Sequence, residues 1–234
     1  MRVAKPTTAV TSPITTTSPA EPRSRKGVQS RARLVEAARE VFERDGFLTA
    51  RISDIAAAAG MAQGSFYHYF DSKEQVFREV AEEQERRLGA PPDEPPSAEE
   101  ADSLGAPITG DIRRYLERYR DAARLMGVIE EVSRYDEHVN AARMATQQHF
   151  WEYAEKTIRR LQDQGLVDER LNPTITSEAL GALMNRFAEL WLVQGSREYD
   201  FDEVVEQLTM LCLNALGASR PLRRTAARGQ ARAS

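Results

Sequence analysis

Apolar residues recur along most of this chain at the three- and four-residue intervals of an amphipathic α-helix. The longer stretches with this pattern cover residues 29–45, 72–88, 108–121, 122–134, 137–164, 173–194 and 201–217. No stretch shows the strict alternation of apolar and polar residues that indicates a half-buried strand. With two short helices between residues 46 and 73, the pattern predicts an all-α fold of about nine helices.

Sequence signals for helix ends mark several of these boundaries. Asp45-Gly46 closes the first helix, and Gln164-Gly165-Leu166 gives the long helix a glycine cap followed by an apolar contact. Asn172-Pro173 supplies a cap followed by proline at the first helical position. Ser72 and Gln75 have the spacing of a capping box, so we expect a helix to begin there.

Residues 46–73 contain two short helical segments separated by a glycine. Ile52 and Ile55 recur at helical spacing in the first segment, and the small Ala56 allows another helix to cross closely over it. Gly60 follows, and glycine suits a turn past a helix end because it adopts the left-handed conformation without a Cβ clash. This arrangement is typical of a helix-turn-helix that reads DNA.

The second segment combines aromatic anchors with hydrogen-bonding side chains. Phe66 and Phe70 lie one turn apart and are expected to hold the helix against the core. We assign Tyr69 to the same core, whereas Tyr67 could pack there or face DNA, and we favour DNA. The side chains that the anchors leave exposed are Gln63, Ser65, Tyr67 and His68. With the helix at 29–45, the two segments complete a three-helix DNA-binding head.

Over residues 31–80 the chain resembles the TetR family of one-component transcriptional regulators. The resemblance lies in Ile-x-Asp-Ile-Ala-x-x-Ala-Gly, Gly-Ser-Phe-Tyr-x-Tyr-Phe and Ser-Lys-Glu, which keep their relative distances. In that family the second helix of the motif enters the major groove. The resemblance therefore implies base or phosphate contacts by Gln63, Ser65, Tyr67 and His68, a phosphate contact by Lys73, and a contact by Ser53 from the preceding helix.

The chain departs from the family pattern at two helix starts. Arg51 stands where the family commonly has Thr or Ser, and Ala62 stands where it often has Ser, so both helix caps are predicted to be weak. Arg51 is instead a candidate phosphate contact. Gln63 replaces a frequent Lys and could read adenine bidentately. Gly64 removes side-chain bulk where the backbone could approach the sugar-phosphate strand.

Composition agrees with a two-part helical protein. A chain of 234 residues with 41% hydrophobic content can form a substantial core. Its single cysteine, Cys212, excludes an internal disulfide and fits a reducing compartment. The N-terminal segment lacks the apolar core of a secretion signal and no stretch approaches a membrane span, so we expect a cytoplasmic protein without membrane association. Neither a cofactor nor a metal site is expected, since the sequence contains no phosphate-binding loop and no cysteine–histidine cluster.

Charge is concentrated at the two ends. Residues 1–33 contain seven Arg or Lys and one acid, residues 217–234 contain five Arg and no acid, and the net charge of −4 therefore reflects an acidic body. The N-terminal arm could follow the phosphate backbone, with Arg31 as a candidate contact, or could simply be a solubilising segment. We interpret the C-terminal tail as the latter.

These observations divide the chain into a basic disordered arm at 1–28, a DNA-binding domain at 29–75, a helical domain at 76–217 and a basic disordered tail at 218–234. Within the helical domain, residues 89–107 are rich in proline and acids and predict a mobile loop. The loop could cover a pocket or be an insertion, and its composition favours an insertion.

Two functional surfaces are expected in the helical domain. Candidate residues of an effector pocket are adaptable, apolar or aromatic, although for any one of them ordinary core is the favoured interpretation: Met126, Val128, His149, Phe150, Tyr153 and Met184. Few cationic residues stand out there, so an apolar effector is preferred. The last two helices carry more apolar surface than one small bundle needs, which predicts a homodimer interface through Leu183, Phe187, Leu190, Trp191, Leu208, Leu211 and Cys212.

Together these features predict a ligand-responsive transcriptional regulator. A homodimer would place two heads on half-sites of a palindromic operator about 34 Å apart, and a small-molecule effector would favour a spacing that no longer fits the DNA. The resemblance also implies that the protein represses transcription, because most members of that family are repressors. The alternatives are an architectural DNA-binding protein without an effector and, more distantly, an all-helical enzyme.

Overall fold

The computed structural model describes residues 25–90 and 105–218. The predicted tail except Ala218, most of the predicted arm and most of the predicted 89–107 loop lie outside the described residues. Within these ranges the chain is all-α, as predicted, with nine α-helices and no strand. The helices are α1 (Arg25–Thr49), α2 (Ile52–Ala58), α3 (Gln63–Phe66), α4 (Lys73–Gly89), α5 (Gly105–Asp121), α6 (Ala123–Ser133), α7 (Glu137–Asp163), α8 (Pro173–Ala188) and α9 (Phe201–Ala215). A π-helical turn, Glu189–Val193, continues α8.

Several helix boundaries differ from those expected from the sequence. Helix α1 begins at Arg25, so residues 25–28, which we assigned to the disordered arm, are helical. Helix α4 extends to Gly89 and α5 begins at Gly105, so residue 89 and residues 105–107, which we assigned to the mobile loop, are helical. Pro107 lies in the first turn of α5, where a missing N–H breaks no helical hydrogen bond.

The predicted helix-end signals are confirmed by the backbone. Gly46 has a φ of 74° and interrupts α1 where Asp45-Gly46 was expected to close it. Gly165 has a φ of 70°, and the Leu166 amide donates back to the Leu161 carbonyl at 2.9 Å after the end of α7. The Asn172 side chain accepts from the Ile175 amide at 3.2 Å and caps α8.

An aromatic and aliphatic core holds the N-terminal head together. Leu34, Phe42, Phe66, Phe70 and Phe77 are fully buried where α1, α2, α3 and α4 meet. The rings of Phe42 and Phe77 pack edge to face at a centroid distance of 4.9 Å, which adds to the burial of apolar area. The head is therefore a rigid support for whatever α3 presents.

Helix α4 runs from this head into the C-terminal bundle, where it packs against α7 and α5. At the junction Arg78 of α4 forms an ion pair with Asp136, with a nitrogen–oxygen distance of 2.9 Å. Asp136 is also the N-cap of α7, accepting from the amides of His138 and Val139. Although burial alone would raise the pKa of Asp136, the hydrogen bond from Arg78 and those from the two amides lower it.

The C-terminal bundle contains helices α5 to α9. Helix α7 packs on α8, α5 packs on α9, and α6 lies against both α1 and the π-helical turn. Gly127 of α6 permits this last approach, because a Cβ there would lie 2.8 Å from the Val193 side chain. None of the described helices has the length and apolar composition needed to cross a bilayer.

Candidate nucleic-acid interface and cavity

The turn between α2 and α3 is closed by backbone hydrogen bonds. Gly60 has a φ of 66°, which favours glycine, and the following Met61 amide donates to the Ala56 carbonyl at 2.8 Å. Phe66 and Phe70 then fix α3 from below, because both rings are fully buried. This is the local geometry that the sequence predicted for a helix-turn-helix.

The opposite side of α3 and the turn that follows it face outward. Gln63, Gly64, Tyr67 and His68 are exposed, Ser65 is half-buried, and the Tyr67 side chain is 50% exposed. Tyr69 is half-buried and packs on the core, as expected. The exposed groups are hydrogen-bond donors and acceptors suited to base edges and phosphates.

Helix α3 is shorter than the rod predicted for residues 63–69. The α-helical part ends at Phe66, and Tyr67 to Tyr69 form a turn in which the Tyr69 amide donates to the Phe66 carbonyl at 2.9 Å. Two local causes are visible: Ala62 provides no side-chain cap, and Gly64 has poor helix propensity. The exposed face is preserved because the turn continues the helical direction of the backbone.

The residues predicted around α2 have mixed surroundings. Arg51 is exposed at the N-cap of α2 and makes no side-chain cap hydrogen bond, so the weak cap inferred from the sequence is present. Ser53 is half-buried, and its hydroxyl donates to Asp54 Oδ1 at 3.3 Å. Both side chains lie at the start of the helix that precedes the exposed face of α3.

Lys73 has a different environment from the phosphate contact that we expected. Its ammonium group donates to the carbonyls of Phe47 at 2.7 Å, Ala50 at 3.0 Å and Leu48 at 3.4 Å. The same nitrogen lies 4.6 Å from the centroid of the Phe47 ring. All three donors of the ammonium are thus used inside the head, so Lys73 ties the start of α4 to the end of α1 and to Ala50, which follows it.

Arg31 also has partners within the head. Its guanidinium forms an ion pair with Glu79 of α4 and lies 4.7 Å from the centroid of the Phe70 ring. Because these contacts hold the side chain between α1 and α4, its geometry favours a packing role over the predicted phosphate contact. The partners of Lys73 and Arg31 are 23 to 48 residues away in sequence, so no local pattern could have shown them.

A cavity of about 310 Å³ lies among helices α4 to α9. Five of the six predicted pocket residues line it: Met126, His149, Phe150, Tyr153 and Met184. The prediction was wrong for Val128, which packs half-buried against the core outside the cavity lining. Other apolar walls come from Leu88, Ile112, Leu161, Leu180 and Leu216.

The cavity also has a charged wall that the sequence analysis missed. Glu85 of α4 is 4% exposed, and its carboxylate lies 3.9 Å from Arg143 of α7. Arg143 forms an ion pair with Glu130 and donates to Ser133 Oγ at 2.9 Å. Burial raises the pKa of Glu85, and the charge of Arg143 and the Thr146 hydroxyl only partly oppose that rise.

Two further arginines stand at the cavity wall, so the expectation of few cationic groups was wrong. Arg114 is paired with Asp111, and Arg118 donates to the carbonyls of Leu88 and Ala90 at the end of α4. The sequence does contain a signal that Arg143 lines the cavity, because residues 143, 147 and 154 share one helical face with Phe150, which we predicted to be a pocket residue.

Neutral polar groups complete the lining. Asn185 Nδ2 donates to the Tyr115 hydroxyl at 3.4 Å, and the Tyr115 and Phe150 rings pack edge to face with centroids 5.6 Å apart. Trp151 lines the same cavity with its indole against Gly181 of α8, where a Cβ would collide with the ring nitrogen. Within the described residues no group of three His, Cys, Asp or Glu side chains could hold a metal ion.

The predicted dimer residues divide into two groups. Leu183 and Leu211 are 42% and 53% exposed, and Leu190 is half-buried. Leu208 and Cys212 are buried inside the protomer, so their assignment to the interface was wrong; Cys212 lines the cavity, and burial raises the pKa of its thiol to about 11. Both point inward because α9 packs this face on α5.

Phe187 and Trp191 belong to an aromatic cluster rather than to a bare surface. Their ring centroids lie 5.9 Å apart, and both contact Tyr199, with centroid distances of 6.1 Å. Trp191 also packs on Phe201, over which the Arg120 guanidinium lies at 4.3 Å. Both remain half-buried, so this cluster closes the protomer and leaves part of its surface accessible.

Comparison with known proteins connects the head to one family. A family model described as bacterial regulatory proteins, tetR family, matches residues 34–80. The uncharacterized HTH-type transcriptional regulator YdgC of Bacillus subtilis (strain 168) is 51% identical over 55 residues, which are 24% of this chain and 28% of that protein. The HTH-type transcriptional repressor KstR2 of Rhodococcus jostii (strain RHA1) is 40% identical over 65 residues, which are 28% of this chain and 31% of the relative. The chain thus spans less than a third of the length of these relatives.

Solved structures match over most of the chain. The transcriptional regulator FadR of Bacillus subtilis in complex with stearoyl-CoA has a TM-score of 0.61 and 15% sequence identity, covering 81% of this chain and 99% of that one. At this identity the likeness is one of fold: a helix-turn-helix head joined to a helical C-terminal bundle.

Proposed function

We propose that this chain, a TetR-family protein by its residues 34–80 and by its fold, is a ligand-responsive transcriptional repressor that binds a palindromic operator as a homodimer. The observation that supports this best is the combination of an outward-facing polar surface on α3 and a ligand-sized cavity reached by the helix that leaves the head. KstR2 is named as a repressor, which favours repression for this chain as well.

Sequence reading is assigned to the exposed side of α3. Gln63 can pair bidentately with adenine in the major groove, and the Tyr67 and His68 side chains can reach bases or phosphates from the same face. Gly64 presents its amide there without a side chain. Phosphate contacts from the start of α2 are assigned to Arg51, which is exposed, and to Ser53, which is half-buried.

Coupling between ligand and DNA is assigned to α4. Its first residue, Lys73, is hydrogen-bonded to carbonyls of the head, whereas Glu85 and Leu88 in its last turns line the cavity. A ligand that displaces the last turns therefore acts on a helix attached to the DNA-binding surface. The ligand lowers the affinity for the operator by a factor that depends on how much more tightly it binds the protein conformation that fits DNA poorly.

The homodimer is assigned to the outward faces of α8 and α9. Ile175, Leu183, Met210 and Leu211 are between 42% and 66% exposed, which is unusual for large apolar side chains grouped on the last two helices. Pairing these faces around a twofold axis would bury them and set the separation of the two heads. Ile175 and Met210 extend the interface predicted from the sequence.

The effector is assigned to the cavity among α4 to α9. Its volume of about 310 Å³ and largely apolar lining suit one small molecule with an apolar body. The rival function, an architectural DNA-binding protein, would need neither a site of this size nor a preferred DNA sequence.

The decisive experiment selects bound fragments from genomic DNA and footprints the best one with the purified protein. A palindrome protected at low concentration, and released by a small molecule from a metabolite extract, is the expected result. The Tyr67→Ala variant should bind that palindrome at least about tenfold more weakly, the equivalent of losing 1.4 kcal/mol of contacts.

Tyr135→Ala provides the matched control, because Tyr135 is 59% exposed but lies between α6 and α7, outside the helix-turn-helix. Its operator affinity should equal that of the unsubstituted protein. Sequence-indifferent binding by the unsubstituted protein, or equal losses in the two variants, would contradict the proposal.

A further inference from the structure

Glu85 is a buried carboxylate in the cavity wall that lacks a close cationic partner. Arg143 lies between the carboxylates of Glu85 and Glu130, and Glu130 has a second arginine, Arg134, at 3.9 Å. Arg143 contacts Glu130 directly, whereas its nearest approach to Glu85 is 3.9 Å, which is beyond hydrogen-bond length. The Glu85 carboxylate, 4% exposed, is thus supported by the Thr146 hydroxyl and by only a share of one positive charge.

The other nearby arginines are committed to acceptors of their own. Arg114 is paired with Asp111, and Arg186 is paired with Glu189 at 2.7 Å. Arg118 donates to carbonyls at the C-terminal end of α4, which is the negative end of that helix dipole. Within the described part of the chain, the Glu85 carboxylate therefore has no guanidinium within hydrogen-bond length.

The walls around Glu85 suit a positive group. Tyr115 and Phe150 line the same cavity, and their electron-rich ring faces attract cations. Asn185 and Tyr115 offer neutral hydrogen-bonding groups, whereas Met126, Met184 and the leucines of the lining accept an apolar body. A buried carboxylate, aromatic faces and an apolar chamber are together complementary to a cationic amphiphile.

We propose that the effector carries an ammonium or similar cationic group that pairs with Glu85, and an apolar body that fills the rest of the cavity. This inference rests on the proposed function, because it takes the cavity as the effector site. It narrows the class of ligand from any apolar molecule to a positively charged one. Such a ligand supplies the close positive partner that Glu85 lacks, because Arg143 contacts Glu130 instead.

The test uses the full-length protein without DNA and three probes of equal chain length: decylammonium, decanoate and 1-decanol. Isothermal titration calorimetry at pH 7 should give decylammonium an affinity at least about tenfold higher than that of decanoate, because only the cation gains an ion pair with Glu85. Equal affinities, a preference for decanoate, or no binding by any probe would overturn the proposal.

Two variants locate the charge preference. Glu85→Gln should lower the affinity for decylammonium about tenfold while leaving that for 1-decanol unchanged. Glu82→Gln, the same change at an exposed position of α4, should bind all three probes like the unsubstituted protein. If Asp111→Asn rather than Glu85→Gln removes the preference, the assignment to Glu85 is wrong. The comparison of probes on the unsubstituted protein decides the issue even if Glu85→Gln does not fold.

The same probes added to the protein–operator complex separate the two proposals. Release by decanoate but not by decylammonium would keep the regulator and reject the cationic effector. Selective binding of decylammonium by a protein with no operator would keep the ligand class and reject the regulator.

Discussion

The buried carboxyl of Glu85 lines the cavity and also makes the stability of the protein depend on pH. Burial raises its pKa above the ordinary value of 4.5, because the interior solvates the charged form poorly. Arg143 and Thr146 oppose that rise, whereas Glu130 adds to it by like-charge repulsion. The folded protein therefore holds this proton more tightly than the unfolded chain, and a difference of this kind makes stability depend on pH.

The free energy of unfolding should show this dependence when Glu85→Gln is compared with the unsubstituted protein. A folded-state pKa above the unfolded value favours folding most below about pH 4.5, and the advantage disappears as pH rises through the folded-state pKa. The stability of the unsubstituted protein relative to Glu85→Gln should therefore fall as pH rises from 4.5 through the folded-state pKa. Urea unfolding at a series of pH values measures it, with Glu82→Gln, at an exposed position of the same helix, as the control. A relative stability that increases with pH would contradict the assigned shift.

At the scale of single elements, helix α4 is held by side-chain contacts at both of its ends and in its middle. Lys73 holds its start in the head, Arg78 pairs with Asp136 in its middle, and Arg118 caps its last carbonyls. Each attachment reaches a different neighbour: the end of α1, the N-cap of α7, and α5. A small displacement of the last turns is therefore transmitted along a stiff rod rather than absorbed locally.

Lys73→Met should separate a structural role from a DNA contact. Losing the ammonium removes three hydrogen bonds to carbonyls, so we expect the head to be destabilised by about 1–2 kcal/mol. The slope of log affinity against log salt concentration should stay unchanged, whereas loss of a phosphate contact would reduce it by about one. Thermal unfolding and operator titrations at several salt concentrations measure both. Lys156→Met, at an exposed site on α7, is the control for charge alone.

The sequence predicts what neighbouring residues determine and misses what distant ones determine. The caps at Gly46, Gly165 and Asn172 and the buried Phe66 and Phe70 follow from local spacing, and all are present. The contacts of Lys73 with carbonyls more than 20 residues away, and of Glu85 with a partner on another helix, depend on tertiary packing. The α3 rod was overestimated for a local reason, since its uncapped start and Gly64 were visible in the sequence.

At the scale of the whole molecule, the last two helices divide their residues between interior and surface. One side of α9 buries Val204, Leu208 and Cys212, whereas Met210 and Leu211 face outward, as does Leu183 of α8. In the proposed homodimer, a symmetric pairing of these faces sets the separation of the two α3 helices. Affinity for a palindrome then depends on the dimer, because each head alone makes half of the contacts.

Replacing Leu183 and Leu211 together by Glu should convert a dimer into a folded monomer. The charges would be buried against their own copies at a twofold interface, and like charges there oppose association. Sedimentation velocity should show half the mass, and operator affinity should fall more than about tenfold. Met144→Glu, at an exposed apolar site near the start of α7, should remain dimeric. A monomeric unsubstituted protein would contradict the interface.

The contact between Trp151 and Gly181 gives the protein a built-in optical probe. Of the two tryptophans in the chain, Trp151 lines the cavity and Trp191 lies in the aromatic cluster beyond α8. A Trp191→Phe protein would therefore emit from an indole that a bound molecule must touch. Shifts in its emission maximum would then report occupancy directly, without labels and without DNA, in a titration of any compound.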